Sequence, residues 1–152
     1  MTGNGKTDKK FHTLQHQIVY FEERITDCYN LIAQLCQPIV ADGLEQSDFK
    51  ERVIERESRS PTSYLNIAVP HTFDSNSLQT AISVGLLKHP IAWGTNKVNI
   101  VFLLSISRKD QKAFIRILEK LIRIFTSEAW MKEVKRIDSY QKLIEFIKRN
   151  KD

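Results

Sequence analysis

Hydrophobic and polar residues follow different periods in different parts of the chain, and these periods predict its elements. In the first third, apolar residues recur at spacings of three and four, which places them on one face of a helix. They are Ile25, Cys28, Ile32, Leu35 and Ile39. Gly43 can end this helix in a left-handed conformation, and Ser47 is the predicted N-cap of a second helix that includes Phe49. The preceding segment, 16–25, is either a short strand through 18–21 or the entry to the first helix.

The middle of the chain has the pattern of strands. Ile67–Val69 form a short apolar run that Pro70 closes, because proline has no N–H for a strand ladder. Residues 81–87 bring a second apolar segment, and residues 89–97, which contain proline and glycine, are predicted to be a turn region. Residues 99–106 are almost continuously apolar, as expected of a central strand that is covered on both faces.

From Asp110 the period returns to that of helices. A long amphipathic helix is predicted from the spacing of Phe114, Ile117, Leu118, Leu121, Ile122 and Phe125. Ser127 is the predicted cap of the next helix, and a third helix contains Tyr140. No repeat or linker interrupts the chain, so we expect a flexible polar segment at 1–10 and one domain at 11–152. The order of elements predicts an α/β domain with a mixed β-sheet flanked by α-helices on both faces.

The composition is ordinary for a globular protein, with 152 residues, 41% hydrophobic and 27% charged. The longest apolar run is too short to cross a bilayer, and the first ten residues lack the apolar region of a secretory signal. Cys28 and Cys36 form no CxxC pair. We therefore expect reduced thiols in a cytoplasmic protein rather than a disulfide or a metal site.

Positive charge is concentrated in the last third of the chain. Arg108 to Asp152 contain 13 Lys/Arg and 7 Asp/Glu, whereas the net charge of the whole chain is +5. Such a region can attract nucleic acid or an acidic protein, or it can be the solvated face of ordinary helices. We favour solvated helices, because no aromatic residues alternate with the basic ones as in a single-strand binder.

The candidate chemistry lies around the strand that Pro70 closes. His71 should stand just past the strand end, at the rim of the sheet and partly exposed, on a rigid backbone. Arg56 comes before a loop rich in hydroxyl groups that leads into this strand, and Thr62 lies in that loop. A guanidinium, hydroxyls and an imidazole together could hold a phosphate. The alternative is that Arg56 pairs with Glu55 or Glu57 on a helix surface, with His71 merely structural.

The other histidines and motifs give weaker indications of a functional site. His12 and His16 are four residues apart but lack a third ligand, so a solvated pair is favoured over a metal site. His89 precedes a proline in the predicted turn region, and Asp74 is close enough in sequence to orient His71. The chain has no GxxxxGK loop, no GxSxG, no HExxH and no zinc spacing of Cys and His.

The segment "RESRSPTSYLNIAVPHT", residues 56–72, resembles the active-site signature of the enzyme IIA (EIIA) domains of the bacterial sugar phosphotransferase system, mannitol/fructose superfamily. Arg56–Glu57, Pro61–Thr62, Tyr64 and the run from Ile67 to His71 carry the resemblance. The "SPT" and "PHT" triplets lean toward the galactitol-like branch. A looser similarity covers residues 16–150, and domains of this kind also occur fused to sugar-responsive transcriptional regulators.

The resemblance implies a phosphocarrier that needs no metal or other cofactor. His71 would take a phosphoryl group from the phosphohistidine of the carrier protein HPr and pass it to a cysteine of an EIIB partner. Arg56 would neutralise the charge of the transferred group, and Thr62 would bind it. The sugar would be reached only through an EIIC partner, and neither nucleic-acid binding nor membrane insertion is expected.

Two departures keep other functions open. Mannitol-type members have a second active-site histidine at the start of the long helix, where this chain reads "KDQKAF", 109–114, and the usual glycine before the strand is absent. One alternative is a regulatory domain in which phosphorylation of His71 controls partner binding or transcription. Another is a basic module that binds nucleic acid or protein, in which His71 is structural.

Overall fold

The computed structural model describes residues 18–72 and 79–150 of the chain. The strands are β1 (Ile18–Phe21), β2 (Ile67–Ala68), β3 (His71–Thr72), β4 (Ala81–Trp93) and β5 (Asn96–Ser105). The helices are α1 (Cys28–Ala41), α2 (Phe49–Arg59), α3 (Gln111–Phe125), α4 (Glu128–Glu133) and α5 (Tyr140–Asn150). Short 3-10 turns at Arg108–Asp110 and Val134–Arg136 precede α3 and follow α4. The predicted flexible segment 1–10, the pair His12 and His16, and Asp74 lie outside the described residues.

The strands form one mixed sheet in the order β1-β4-β5-β2, with β3 also paired to β5. β4 and β5 are antiparallel, whereas β1 runs parallel to β4, and β2 and β3 run parallel to β5. β2 and β3 are two short stretches of one edge, separated by Val69 and Pro70. The weakly predicted first strand is present at 18–21, and the mixed sheet is confirmed.

The side chains of β5 are divided between two hydrophobic cores, and they alternate between these cores from Ile100 onward. Val98, Val101 and Leu103 belong to the core under α1 and α2, whereas Ile100, Phe102 and Leu104 belong to the core under the three C-terminal helices. Both faces of the sheet are therefore covered, which explains why this strand is apolar at nearly every position. The predicted arrangement of helices on both faces is confirmed.

Two of the predicted helix caps can be compared with the structure. Ser127 caps α4 as predicted, and its side chain accepts a hydrogen bond from Trp130 N at 3.2 Å. Ser47 is not the cap of α2, because the cap position falls on Asp48. The chain first makes a tight turn in which Phe49 N donates to Gln46 O at 3.0 Å, so the helix starts one residue later.

The predicted turn region 89–97 is a turn only at residues 94–95, because 89–93 belong to β4 and 96–97 belong to β5. β4 continues through His89 and Pro90 to Trp93, and its pairing with β5 shifts register between Leu86 and Ile91. Such an irregularity lets a strand contain a proline, because the missing N–H falls where the ladder is already interrupted.

The reversal itself occurs at Gly94, between the paired residues Trp93 and Asn96. Gly94 has φ +60°, the left-handed conformation that favours glycine at the first position of a two-residue hairpin turn. This turn packs on the loop before β2. Ser63 Oγ donates to Trp93 O at 2.7 Å, and a Cβ built on Gly94 would lie 3.3 Å from Pro61 Cβ. The hairpin turn therefore fixes the loop that leads toward His71.

Replacement of Gly94 should cost more stability than replacement of Gly43, the other described glycine in the left-handed region. Gly43→Ala has open space around the new Cβ, so we expect only backbone strain of about 1–2 kcal/mol. Gly94→Ala adds the close contact with Pro61, for a further cost of about 1 kcal/mol. Denaturant unfolding of both variants measures the difference, and equal costs would contradict the packing of the turn on the loop.

Candidate active site

His71 is the first residue of β3 and pairs in register with Leu104 of β5. His71 is only 6% exposed, so the expectation of partial exposure is wrong, although β3 does lie at the edge of the sheet. The chain resumes strand pairing directly after Pro70, whose carbonyl accepts a hydrogen bond from Leu104 N at 3.0 Å. The imidazole is therefore held on a short strand rather than on a free loop end.

Phe114, in the first turns of α3, covers the imidazole of His71. The two ring centroids are 5.0 Å apart and the planes are inclined by 47°. The sequence places Phe114 on the apolar face of the helix but cannot show that this face reaches His71. The only sequence signal was its position at the start of the long helix, where the resemblance implies a second histidine in mannitol-type members.

The start of α3 is tied to the start of β4 by a buried carboxylate. Asp110 Oδ2 accepts hydrogen bonds from Thr80 Oγ1 at 2.6 Å and from Ser107 Oγ at 2.9 Å. Ser107 N in turn donates to Thr80 Oγ1 at 3.1 Å. Because this network fixes the first turn of the helix, it also fixes where Phe114 meets His71.

A hydrogen bond to the backbone sets the tautomer of His71. Nδ1 lies 2.7 Å from the carbonyl oxygen of Val69. A carbonyl oxygen can only accept, so Nδ1 carries the proton in the neutral ring. The lone pair of the neutral imidazole is therefore on Nε2, which is the nucleophilic atom in this tautomer.

The surroundings of His71 favour the neutral ring. Burial lowers the pKa of His71 below its ordinary value, and the positive charge of Arg56 lowers it further. The hydrogen bond to Val69 and the negative charge of Glu57 act in the opposite direction but do not prevail. The imidazole consequently stays unprotonated to lower pH than an exposed histidine, as a nucleophile requires.

Arg56 lies in the last turns of α2, partly buried. Its Nη1 donates to Ser60 O at 2.9 Å, an interaction that turns the guanidinium toward the loop after the helix. The alternative of a surface pair with Glu55 or Glu57 does not match the structure, because Glu55 pairs with Arg59 and Glu57 turns inward. The helix α2 contacts β3, and the charge of Arg56 acts on the imidazole of His71.

Thr62, in the loop after α2, forms two hydrogen bonds with the carboxylate of Glu57. Thr62 N donates to Glu57 Oε2 at 2.6 Å, and Thr62 Oγ1 donates to Glu57 Oε1 at 2.9 Å. The Thr62 hydroxyl also accepts from Val69 N at 3.1 Å. Sequence reasoning picked Thr62 but missed the part played by Glu57, which had been considered only as a partner of Arg56.

A nucleophilic nitrogen on a rigid strand, with a guanidinium nearby, suits the transfer of an anionic group. The family model for the phosphoenolpyruvate-dependent sugar phosphotransferase system, EIIA 2, matches residues 12–150. The chain belongs to this family. The residues that carried the resemblance, from Arg56 to His71, lie within the matched range.

Curated relatives of this EIIA 2 chain include two Bacillus subtilis proteins. The "Probable licABCH operon regulator" is 31% identical over 138 residues, which are 90% of this chain and 21% of the relative. The "Transcriptional regulator ManR" is 27% identical over 130 residues, which are 85% of this chain and 20% of the relative. The chain therefore spans about a fifth of the length of these relatives.

Solved structures of EIIA proteins share the fold. The nitrogen regulatory protein IIA-Ntr from Neisseria meningitidis superposes with a TM-score of 0.77 at 16% identity, covering 93% of this chain and 99% of that one. The mannitol IIA from Escherichia coli gives a TM-score of 0.74 at 17% identity, covering 90% and 99%. At these identities the similarity establishes the fold of the EIIA 2 chain and nothing finer.

We expect Phe114→Ala to raise the pKa of His71 toward the ordinary value of about 6.5. Burial is the main cause of the lowered pKa, and loss of the ring admits water. NMR titration of the His71 ring in the folded variant measures the change. Ile115→Ala is the matched control, because Ile115 is 62% exposed on the same turn. An unchanged midpoint in Phe114→Ala would show that its ring does not desolvate His71.

Proposed function

We propose that this domain is a phosphocarrier that accepts a phosphoryl group on Nε2 of His71 from phosphorylated HPr. It then donates the group to a cysteine of an EIIB partner. The observation that supports this most directly is the hydrogen bond between Nδ1 and Val69 O. It commits the proton to one ring nitrogen and the lone pair to the other. In keeping with this role, none of the described helices is long and apolar enough to span a membrane.

The proposed transfer requires neither a metal nor a nucleotide. The Nε2 lone pair attacks the phosphorus of phospho-HPr, the new N–P bond forms, and the donor's imidazole leaves with the electron pair of the old bond. The Nδ1 proton stays on His71, where Val69 O stabilises the positive character that the ring acquires. An EIIB thiolate then attacks the phosphorus, and the lone pair returns to Nε2.

Arg56 is the proposed cation for the transferred group. One N–H of its guanidinium meets Ser60 O, and a guanidinium carries five N–H donors that match phosphoryl oxygens. Its charge would stabilise the phosphoryl group at the moment of transfer, when charge is spread over three oxygens.

Thr62 enters the proposal in a different role from the one expected. Its hydroxyl proton is directed to Glu57 at 2.9 Å, so donation to a phosphoryl oxygen would require this bond to break. A direct phosphate contact by Thr62 therefore remains a prediction. We assign the residue a different role, which is to connect Glu57 to the backbone of Val69. The galactitol-like branch also remains a prediction.

The regulatory alternative is supported by the relatives. Two of them carry the names of transcriptional regulators, and this chain matches about a fifth of each. In such a protein, phosphorylation of His71 would change partner binding or transcription rather than feed a transporter. The transport version is supported by a solved complex of mannitol IIA with phosphorylated mannitol IIB from Escherichia coli. One chain of that complex has the same fold as this domain. Both versions use His71 as the acceptor, and both would operate in the cytoplasm, where HPr supplies the phosphoryl group.

Incubation with phosphoenolpyruvate, enzyme I and HPr should add one acid-labile phosphate to the wild-type protein, measured by intact mass. His71→Ala should abolish the gain, because the accepting nitrogen is removed, and His89→Ala on β4 should retain it. Circular dichroism checks that His71→Ala is folded, since the residue is buried. Phosphate gain by folded His71→Ala would place the acceptor elsewhere.

Arg56→Ala should slow phosphorylation by roughly 10²–10³-fold, because one preorganised charge at the transferred group is lost. Arg59→Ala is the matched control. Arg59 lies one turn away on α2 and pairs with Glu55 on the surface, so its loss should leave the rate nearly unchanged. Rapid-quench measurement with phospho-HPr compares the two. Equal rates for both variants would remove Arg56 from the site.

A further inference from the structure

We propose that Glu57 is a positioning residue for this phosphoryl transfer. Acting through Thr62 and Val69, it holds His71 in the tautomer whose lone pair is on Nε2. The four residues are joined by successive hydrogen bonds, from Glu57 to Thr62, from Thr62 to Val69 and from Val69 to His71. The inference rests on the proposed function for its consequence on rate, but its effect on the imidazole can be measured without any phosphoryl donor.

Glu57 is a carboxylate that is almost completely buried and fully occupied by donors. It is 1% exposed. Three donors reach it: Thr62 N at 2.6 Å, Thr62 Oγ1 at 2.9 Å and Trp93 Nε1 at 2.8 Å. A buried charge is tolerated only when it is well hydrogen-bonded, and two of these three donors belong to Thr62. The carboxylate therefore fixes both the backbone and the hydroxyl of Thr62, and it also holds the indole of Trp93.

The negative charge of Glu57 sets the direction of the next bond. An ionised carboxylate only accepts, so the Thr62 hydroxyl must donate to it. The oxygen of that hydroxyl then presents a lone pair to Val69 N at 3.1 Å. A hydroxyl free to rotate could offer Val69 its hydrogen instead, which would repel the N–H. Glu57 therefore makes Thr62 an acceptor at the place where Val69 needs one.

Val69 connects Thr62 to the imidazole. Its N–H is held by Thr62, and its carbonyl accepts from His71 Nδ1 at 2.7 Å. The next residue, Pro70, restricts Val69 to an extended conformation, and Pro70 O is itself held by Leu104 N at 3.0 Å. With both neighbouring peptides fixed, the Val69 carbonyl keeps one direction, and that direction selects the protonated nitrogen of His71.

Trp93 supplies an internal control. Its indole donates to Glu57 Oε2, the same oxygen that accepts from Thr62 N, but Trp93 is not one of the links from Glu57 through Thr62 and Val69 to His71. Loss of this bond weakens the attachment of α2 to the end of β4 without removing any of those links. If Glu57 is purely structural, loss of its bond to Trp93 and loss of its bonds to Thr62 should affect His71 similarly. If Glu57 positions His71, only loss of the bonds to Thr62 should change the tautomer.

The experiment compares the ring nitrogens of His71 in wild type and four variants by ¹⁵N NMR, at a pH where the imidazole is neutral. Thr62→Val removes the hydroxyl at nearly constant shape, and Thr62→Ser restores it. Glu57→Gln brings an NH₂ group among three donors, and Trp93→Phe removes the indole N–H together with part of a fully buried ring, so it perturbs packing as well as the bond to Glu57. The rate of phosphorylation by phospho-HPr is measured in parallel on each variant.

We expect wild type, Thr62→Ser and Trp93→Phe to show the proton on Nδ1. Thr62→Val and Glu57→Gln should show a mixture of tautomers and a rate that is lower by roughly tenfold to hundredfold. If Thr62→Val is folded and keeps both the wild-type tautomer and the wild-type rate, the proposal is wrong. It is equally wrong if Trp93→Phe changes the tautomer as much as Thr62→Val, because the effect would then be general loosening.

The two proposals fail in different ways. If wild type gains no phosphate from phospho-HPr, the proposed function fails, yet the NMR comparison still decides whether Glu57 sets the tautomer. If wild type is phosphorylated but Thr62→Val retains its tautomer, the proposed function stands and the positioning role falls. Thr62→Val also keeps the test valid should Glu57→Gln fail to fold.

Discussion

The hydrogen bond from His71 Nδ1 to the carbonyl of Val69 is the interaction around which the candidate site is arranged. It joins a side chain that would otherwise exchange between two neutral tautomers to a backbone group that cannot change its role. Everything around it preserves that geometry. Phe114 closes the ring from one side, Pro70 stiffens the peptide between the two residues, and β5 holds both short strands in register. In the proposed function, a phosphoryl acceptor must present the same atom at each encounter, and a fixed tautomer of His71 would meet that requirement.

The elements that support this bond are far apart in sequence. The loop before β2 is held from outside by the β4–β5 hairpin turn, where Ser63 bonds to the backbone of Trp93. From inside, the Trp93 indole reaches Glu57. A hairpin turn some twenty residues after the histidine thus helps to shape the loop that precedes it. Packing of α2 against β3, rather than local sequence, brings the charge of Arg56 within range of the imidazole.

Sequence reasoning reached the fold and the main site residues by different routes. The continuous apolar run at 99–106 identifies a doubly covered strand because burial on both faces leaves no polar position. β4 was harder, since Pro90 usually ends a strand and only an irregularity in pairing lets this one continue. His71, Arg56 and Thr62 came from the motif. Glu57 is part of the motif but its inward contacts were not predicted, and Phe114 was not identified as a site residue at all, because helical periodicity shows that a face is buried but not which residue it meets. A carboxylate that binds a loop from within has no local signature.

The loop that leads to the histidine also affects the outer edge of the sheet. β2 and β3 pair with β5, and an unpaired strand edge would be a template on which another chain can add a strand. Here Tyr64 exchanges both backbone hydrogen bonds with Ile67, and Thr62 Oγ1 accepts from Val69 N, so these edge groups are already taken. The loop that positions the histidine therefore also discourages edge-to-edge association, so the domain can keep its site next to a sheet margin without that margin becoming a route to aggregation.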